Sequence, residues 1–216
     1  MSQYITYFEI AAFISSLVAL PTIRKRKHLL LFPIILGIIL SVEFQQTFFR
    51  PEDQDTNAHL YNIQLPLIQL LYMISFIWSM DHQKSRRILL ALMGFFIALT
   101  LLTILMYWSQ PKFNVVSYSV GSVFLSVAIL MKFNEMLKSP TGFNFLKEPT
   151  FYIYFSFLTF TVGTLPYFTT INWLYYTAGM RELSLILINL MSILNYILYA
   201  TYTICFLWMR VKKDYS

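Results

Sequence analysis

Seven residues embedded in apolar sequence have the side chains to do chemistry: Glu9, Glu43, Asn62, Gln69, Asn189, Asn195 and Tyr199. An ionisable group at bilayer depth is costly to keep and is a functional candidate by default. Glu9 and Glu43 are the two carboxylates so placed, and they are suited to binding a cation or an amine, or to exchanging a proton. Asn62, Pro66 and Gln69 follow an i, i+4, i+7 spacing that puts them on one helix face. Asn189, Ser192, Asn195 and Tyr199, at i, i+3, i+6 and i+10, read as a second face. Thr161, Thr164, Pro166, Tyr167, Thr169, Thr170 and Asn172 add polarity further along the chain, and Gln45 and Gln46 flank Glu43. Each group also has a plainer reading. Asn, Gln, Ser and Thr act as interhelical hydrogen-bond glue. Glu9 lies near a helix start, where a carboxylate snorkels to water. Pro66 and Pro166 read as kinks whose freed carbonyls find other donors.

The elements that must position these groups are seven apolar stretches: about 4–23, 29–49, 60–80, 88–108, 115–131, 151–173 and 183–209. Runs of about 20 apolar residues match a hydrocarbon core about 30 Å thick. Backbone groups in lipid must pair internally, so the stretches are helices. The alternating segments of a membrane β-barrel are absent. The expected fold is all-α, a single polytopic bundle of seven transmembrane helices. Trp78, Trp108, Trp173 and Trp208 fall near span ends, as an aromatic belt requires. The first stretch has no basic residues before it and no small-residue cleavage site after it, so a retained first helix is expected.

Charge sets the expected orientation. The chain is 57% hydrophobic and only 12% charged. Thirteen of its sixteen Lys and Arg residues fall in alternate gaps or in the last segment. Arg24, Lys25, Arg26 and Lys27 form the first cluster, and Lys84, Arg86 and Arg87 the second. Lys132, Lys138 and Lys147 form the third, and Arg210, Lys212 and Lys213 the last. Arg50, Lys112 and Arg181 stand alone in the other gaps. Basic residues beside spans stay cytoplasmic. The N-terminus is therefore expected outside and the C-terminus inside, in an inner membrane. The net charge of +6 then reads as four juxtamembrane clusters with weak contact to anionic lipid, and nucleic-acid binding is not expected. With that orientation Glu9, Glu43, Asn62 and Asn189 all fall in the outer half. A polar cavity open to the periplasmic side is expected among the first, second, third, sixth and seventh helices.

Other chemistry is missing. Cys205, the single cysteine, has no intrachain partner. His28, His59 and His82 lie at or beside loops without metal-ligand spacing. No metal or other cofactor is expected. No span carries a Lys for a retinal Schiff base, and no hydrolase, Walker or zincin motif occurs. An enzyme is not expected. The halves of the fourth and fifth helices nearer the cytoplasm are nearly all apolar, and Ser119, Gly121, Ser122 and Ser126 make a small-residue packing stripe. No polar path crosses the membrane, which argues for a one-sided site. Sugar transporters of two three-helix repeats share the expected topology, but prolines at Pro21, Pro33 and Pro166 do not fall in matching places.

The stretches NIQLPLIQLLY, KEPTFYIYFSFLTFTVG and INLMSILNYILYATYTICFLW, from Asn62, Lys147 and Ile188, carry a resemblance. With them the chain is similar to a widespread family of small seven-helix membrane proteins of Bacteroidota, often encoded beside sensor kinases. The resemblance implies a receptor-like or accessory role in signalling and supplies no catalytic residues. The resulting expectation is a non-enzymatic membrane sensor or accessory subunit, with a small-solute or proton-coupled transporter as the alternative. Its partners would be the bilayer and a cytoplasmic or membrane signalling protein, with homo-oligomers allowed. No loop has room for an output domain.

Overall fold

Proline ends the first apolar stretch early. Pro21 has no N–H to donate and its ring crowds the carbonyl four residues back, so α1 (Ser2–Val18) stops and a short α2 (Leu20–Ile23) restarts from Ala19. A 3-10 turn at Lys27–Leu29 then leads into α3 (Leu31–Phe48). The rest of the bundle is α4 (Gln54–Ser79), α5 (Gln83–Tyr107), α6 (Val115–Lys138), α7 (Pro149–Asn172) and α8 (Arg181–Asp214). The computed structural model describes residues 2–48, 54–107, 113–138, 146–172 and 180–214, and no strand occurs among them.

Among the described residues, five segments are long and apolar enough to cross a membrane: Lys27–Gln45, His59–Ser79, Gln83–Met106, Val115–Lys138 and Glu182–Val211. These are the marks of a multi-pass membrane protein. The first and sixth of the seven expected spans fall outside this group. α1 is a shorter apolar helix, Tyr4–Val18. α7 has the length, but its Thr, Tyr and Pro residues dilute its apolarity. α8 is longer than the sequence suggests, at 34 residues.

α2 continues the run of α1, and from α3 onward each helix returns alongside the one before it, so the ends collect at two poles. One pole holds the start of α1, the end of α3 and the starts of α4, α6 and α8. The other holds Arg24–Lys27 and the turn between α4 and α5. α8 packs along both α1 and α7, α6 lies between α4 and α7, and α3 touches α1 and α4. α5 packs only on α4 and α6 among its substantial contacts. It turns Phe95, Leu101, Leu102, Leu105 and Met106 outward, an apolar surface that suits lipid.

The second pole is densely packed. Phe32, Phe76, Tyr154, Tyr202 and Phe206 are fully buried. Tyr72 stacks on Phe157 with centroids 4.1 Å apart, and Phe32 meets Tyr72 and Tyr202 edge-on at 5.5 and 5.6 Å. Offset and edge-on pairs are the favoured aromatic geometries. Charges close this end. The Lys132 ammonium donates to the Ser79 carbonyl and to Asp81 Oδ2 (2.9 Å), with Glu135 Oε2 at 3.7 Å. Glu135, itself buried, accepts the backbone N–H groups of Asp81 (2.9 Å) and His82 (3.3 Å). Arg26 donates to Glu148 and to the Thr150 hydroxyl, both at 3.0 Å. Two of the basic residues, Arg26 and Lys132, are thus partly engaged inside the fold. Arg24, Lys25, Lys27, Arg86 and Arg87 are exposed and Arg210 is half-buried. The side chains of Lys212 and Lys213, like Gln46, Trp108 and Trp173, lie outside the described residues.

Candidate functional site

The first pole is built differently. A cavity of about 400 Å³ opens there between α1, α3, α4, α6, α7 and α8. That volume is within the range of small-molecule sites. α1 contributes Glu9, α3 Glu43, α4 Gln64 and Gln69, and α8 Asn195 and Tyr199. Five of the seven residues singled out in the sequence therefore reach one space: Glu9, Glu43, Gln69, Asn195 and Tyr199. α6 joins the wall through Tyr118, Ser122 and Leu125, where the sequence suggested only a packing stripe. No described residue of α5 lines it.

Glu9 does not snorkel. It is 4% exposed, although it lies near the start of α1. The Tyr199 hydroxyl and the Glu43 carboxyl both lie close enough to its carboxyl to interact with it. Glu9 Oε2 has no hydrogen-bond partner among the described residues, and neither has the buried Gln64 Oε1. A buried polar atom without a partner costs free energy unless something completes it.

Most donors at this site are already spent on the protein. Gln69 Nε2 donates to the Tyr118 carbonyl (3.1 Å) and to Ser122 Oγ (3.2 Å). The carbonyl accepts only, which fixes the orientation of the amide. Asn195 Nδ2 donates to the Met191 carbonyl one turn earlier at 3.1 Å. The Tyr118 hydroxyl pairs with Thr164 Oγ1 at 2.9 Å, and Thr161 donates to the Phe157 carbonyl at 2.7 Å. Thr169 and Thr170 likewise bond back to Leu165 and Pro166. The hydroxyls of α7 thus serve mainly their own helix. The walls are otherwise aromatic: Phe168 lies 4.1 Å from Tyr118 and 5.2 Å from Phe113 between ring centroids, and all three line the cavity.

Two expected site residues are elsewhere. Asn62 shares a buried face with Pro66 and Gln69, but its Oδ1 accepts the backbone N–H of Asn114 at 2.7 Å and it does not line the cavity. Asn114 caps α6: its Oδ1 accepts the Ser117 N–H (3.0 Å) and its Nδ2 donates to Thr103 (2.8 Å). Asn62 is therefore structural. Asn189 does not line the cavity either and is exposed on α8. At 3.6 residues per turn, six residues leave Asn189 and Asn195 about 120° apart. The i, i+3, i+6 series drifts off one face, and the buried face of α8 runs through Ser184, Leu194, Leu198, Tyr202 and Met209. Conversely, sequence reasoning passed over Asn114, whose place just before an apolar run is an N-cap signature. Gln64 joins the cavity from outside the face that Asn62 shares with Pro66 and Gln69.

Gly121 permits the close approach of α4 and α5 to α6. A Cβ there would collide with the Gln69 amide and would lie 2.8 Å from the Phe96 ring. Among the described residues no group of three His, Cys, Asp or Glu is placed to hold a metal ion, and Cys205 is buried. Comparison with family models, with curated proteins and with solved structures yields no match for this chain.

Proposed function

We propose that this protein is a non-enzymatic seven-helix sensor or accessory subunit of the inner membrane, with the cavity pole facing the periplasm and the basic pole the cytoplasm. The observation that carries the reading is the one-sided cavity. It is walled by six helices at one pole and ends on the stacked Tyr72 and Phe157. Below that floor the buried Phe32, Phe76, Tyr154, Tyr202 and Phe206 fill the bundle, so a bound molecule has a place to sit against a closely packed half. α1, α7 and α8 would respond together, since α8 packs on both. Occupancy shifts such a bundle only if the ligand favours one helix arrangement over another. The exposed Arg24, Lys25, Arg86 and Arg87 would then present the change to a partner carrying the output domain. The resemblance to small proteins encoded beside sensor kinases agrees with this role.

Orientation is tested first. In a Cys205→Ser background, Tyr4→Cys should react with an impermeant maleimide in intact spheroplasts, and Arg86→Cys only after permeabilisation. The reverse pattern ends the proposal. A photo-crosslinking residue at Arg87 should then capture one defined partner in native membranes. Transport is the competing outcome: solute accumulation in proteoliposomes holding the purified full chain would replace the sensor by a transporter.

A further inference from the structure

We propose that the cavity binds an organic ammonium ion, a primary or secondary amine on a small apolar or aromatic body. This rests on the reading of the cavity as a ligand site and names the ligand's chemistry. The first ground is the balance of donors and acceptors. Glu9 Oε2 and Gln64 Oε1 are buried at the cavity without partners among the described residues. The nearby polar groups of Gln69 (through Nε2), Asn195, Tyr118 and Thr161 are committed to other protein atoms. The buried atoms left without partners at the cavity, Glu9 Oε2, Gln64 Oε1 and Gln69 Oε1, are acceptors, which a donating partner would complete.

The second ground is charge. Two carboxyls, Glu9 and Glu43, face the cavity, and among the described residues no Lys, Arg or His lines it. A buried carboxylate needs a counter-charge or must give up its own charge, and an ammonium supplies both a counter-charge and several N–H donors. The third ground is the wall. Tyr61, Phe113, Phe160, Tyr167 and Phe168 offer ring faces and edges around the acids, where cations are attracted to aromatic faces and an apolar body is sheltered. A strongly hydrated metal ion meets the acids but wastes the rings. A neutral molecule meets the rings but supplies no counter-charge to Glu9.

Two sources share this chemistry: a free amine, and the primary ammonium of a phosphatidylethanolamine headgroup. The full-length protein in phosphatidylcholine nanodiscs is titrated calorimetrically with phenethylamine, with 2-phenylethanol as its neutral match, with phenylacetate, and with tetramethylammonium. Phenethylamine should bind at least about tenfold more tightly than 2-phenylethanol, with phenylacetate not binding. Tetramethylammonium, which has no N–H, should bind more weakly than the primary amine. Glu9→Gln should lower phenethylamine affinity at least about tenfold, because a buried charge pair loses one partner. Gln64→Met, which keeps the volume, should lower it by a smaller factor. The thermal transition of each variant reports folding. Nanodiscs containing phosphatidylethanolamine then assign the source: competition with phenethylamine indicates the lipid headgroup, and no competition a free amine. Equal binding of phenethylamine and 2-phenylethanol in folded protein overturns the ammonium assignment but leaves a ligand cavity. Binding by none of the four probes overturns the ligand-site reading itself.

Discussion

The two poles of this bundle solve the problem of polar groups in an apolar protein in opposite ways. At the basic pole the buried charges are answered from within: Lys132 by Ser79, Asp81 and Glu135, and Glu135 in turn by the backbone of the turn into α5. At the cavity pole two acids are drawn together and one oxygen of Glu9 stays without a partner among the described residues. The first arrangement spends polarity on holding helices in register. The second leaves polarity over, and a space beside it. A bundle needing only glue would have had no reason to differ between its ends. The buried hydroxyls of Thr22 and Tyr154 in the other half also lack a partner among the described residues, so what sets the cavity pole apart is an incompletely satisfied acid beside open space.

Mutations sharpen this contrast. Phe76→Ala, in the packed half, should have the largest effect, a loss of about 3 kcal/mol or more, read as a shift of the unfolding midpoint in mixed micelles. A loss below about 1 kcal/mol would show that the half is less tightly packed than described. Glu135→Ala comes next, at about 2–3 kcal/mol, because two backbone N–H groups and Lys132 lose an acceptor together; faster hydrogen exchange at Asp81 and His82 is its signature. Gly121→Ala should cost about 1–3 kcal/mol by forcing Gln69 and Phe96 aside, and should also weaken any ligand seated against Gln69. If that variant were as stable as the parent, α4 and α6 could not be as close as they are here. Glu9→Gln is the test of the other pole. It should leave stability within about 1 kcal/mol or raise it, since it removes an incompletely matched acid, while altering binding. Asn189→Leu should do least, within about 0.5 kcal/mol, and a large effect on ligand binding would return Asn189 to the site.

Much of this was legible in the residues. Apolar length announced the helices, and the spacing of Asn62, Pro66 and Gln69 announced a buried face. The proximity of Glu9 to Glu43 followed from placing both at the same pole. The failures have physical causes. Asn189 falls away from the cavity because a run of three-residue steps drifts around a helix that turns every 3.6. Glu135 sits in KFNEMLK, which reads as a solvated helix end, and only the fold brings the backbone of Asp81 and His82 to it. The role of Ser122 and Tyr118 in the cavity wall depends on how α6 is rotated against α4. Gly121 and Gln69 decide that rotation together, across 52 residues of sequence, and no local pattern reveals it.

The length of α8 has a mechanical meaning. At 1.5 Å per residue its 34 residues extend about 50 Å, well beyond a hydrocarbon core of about 30 Å. Its cavity-lining residues Asn195 and Tyr199 lie near its middle, and about 25 Å of helix lies between them and Asp214. On the sensor reading proposed above, that length would act as a lever arm pivoted at the cavity. A tilt of about 5° at the binding site carries its far tip about 2 Å, a travel of the size by which subunit interfaces are made or broken.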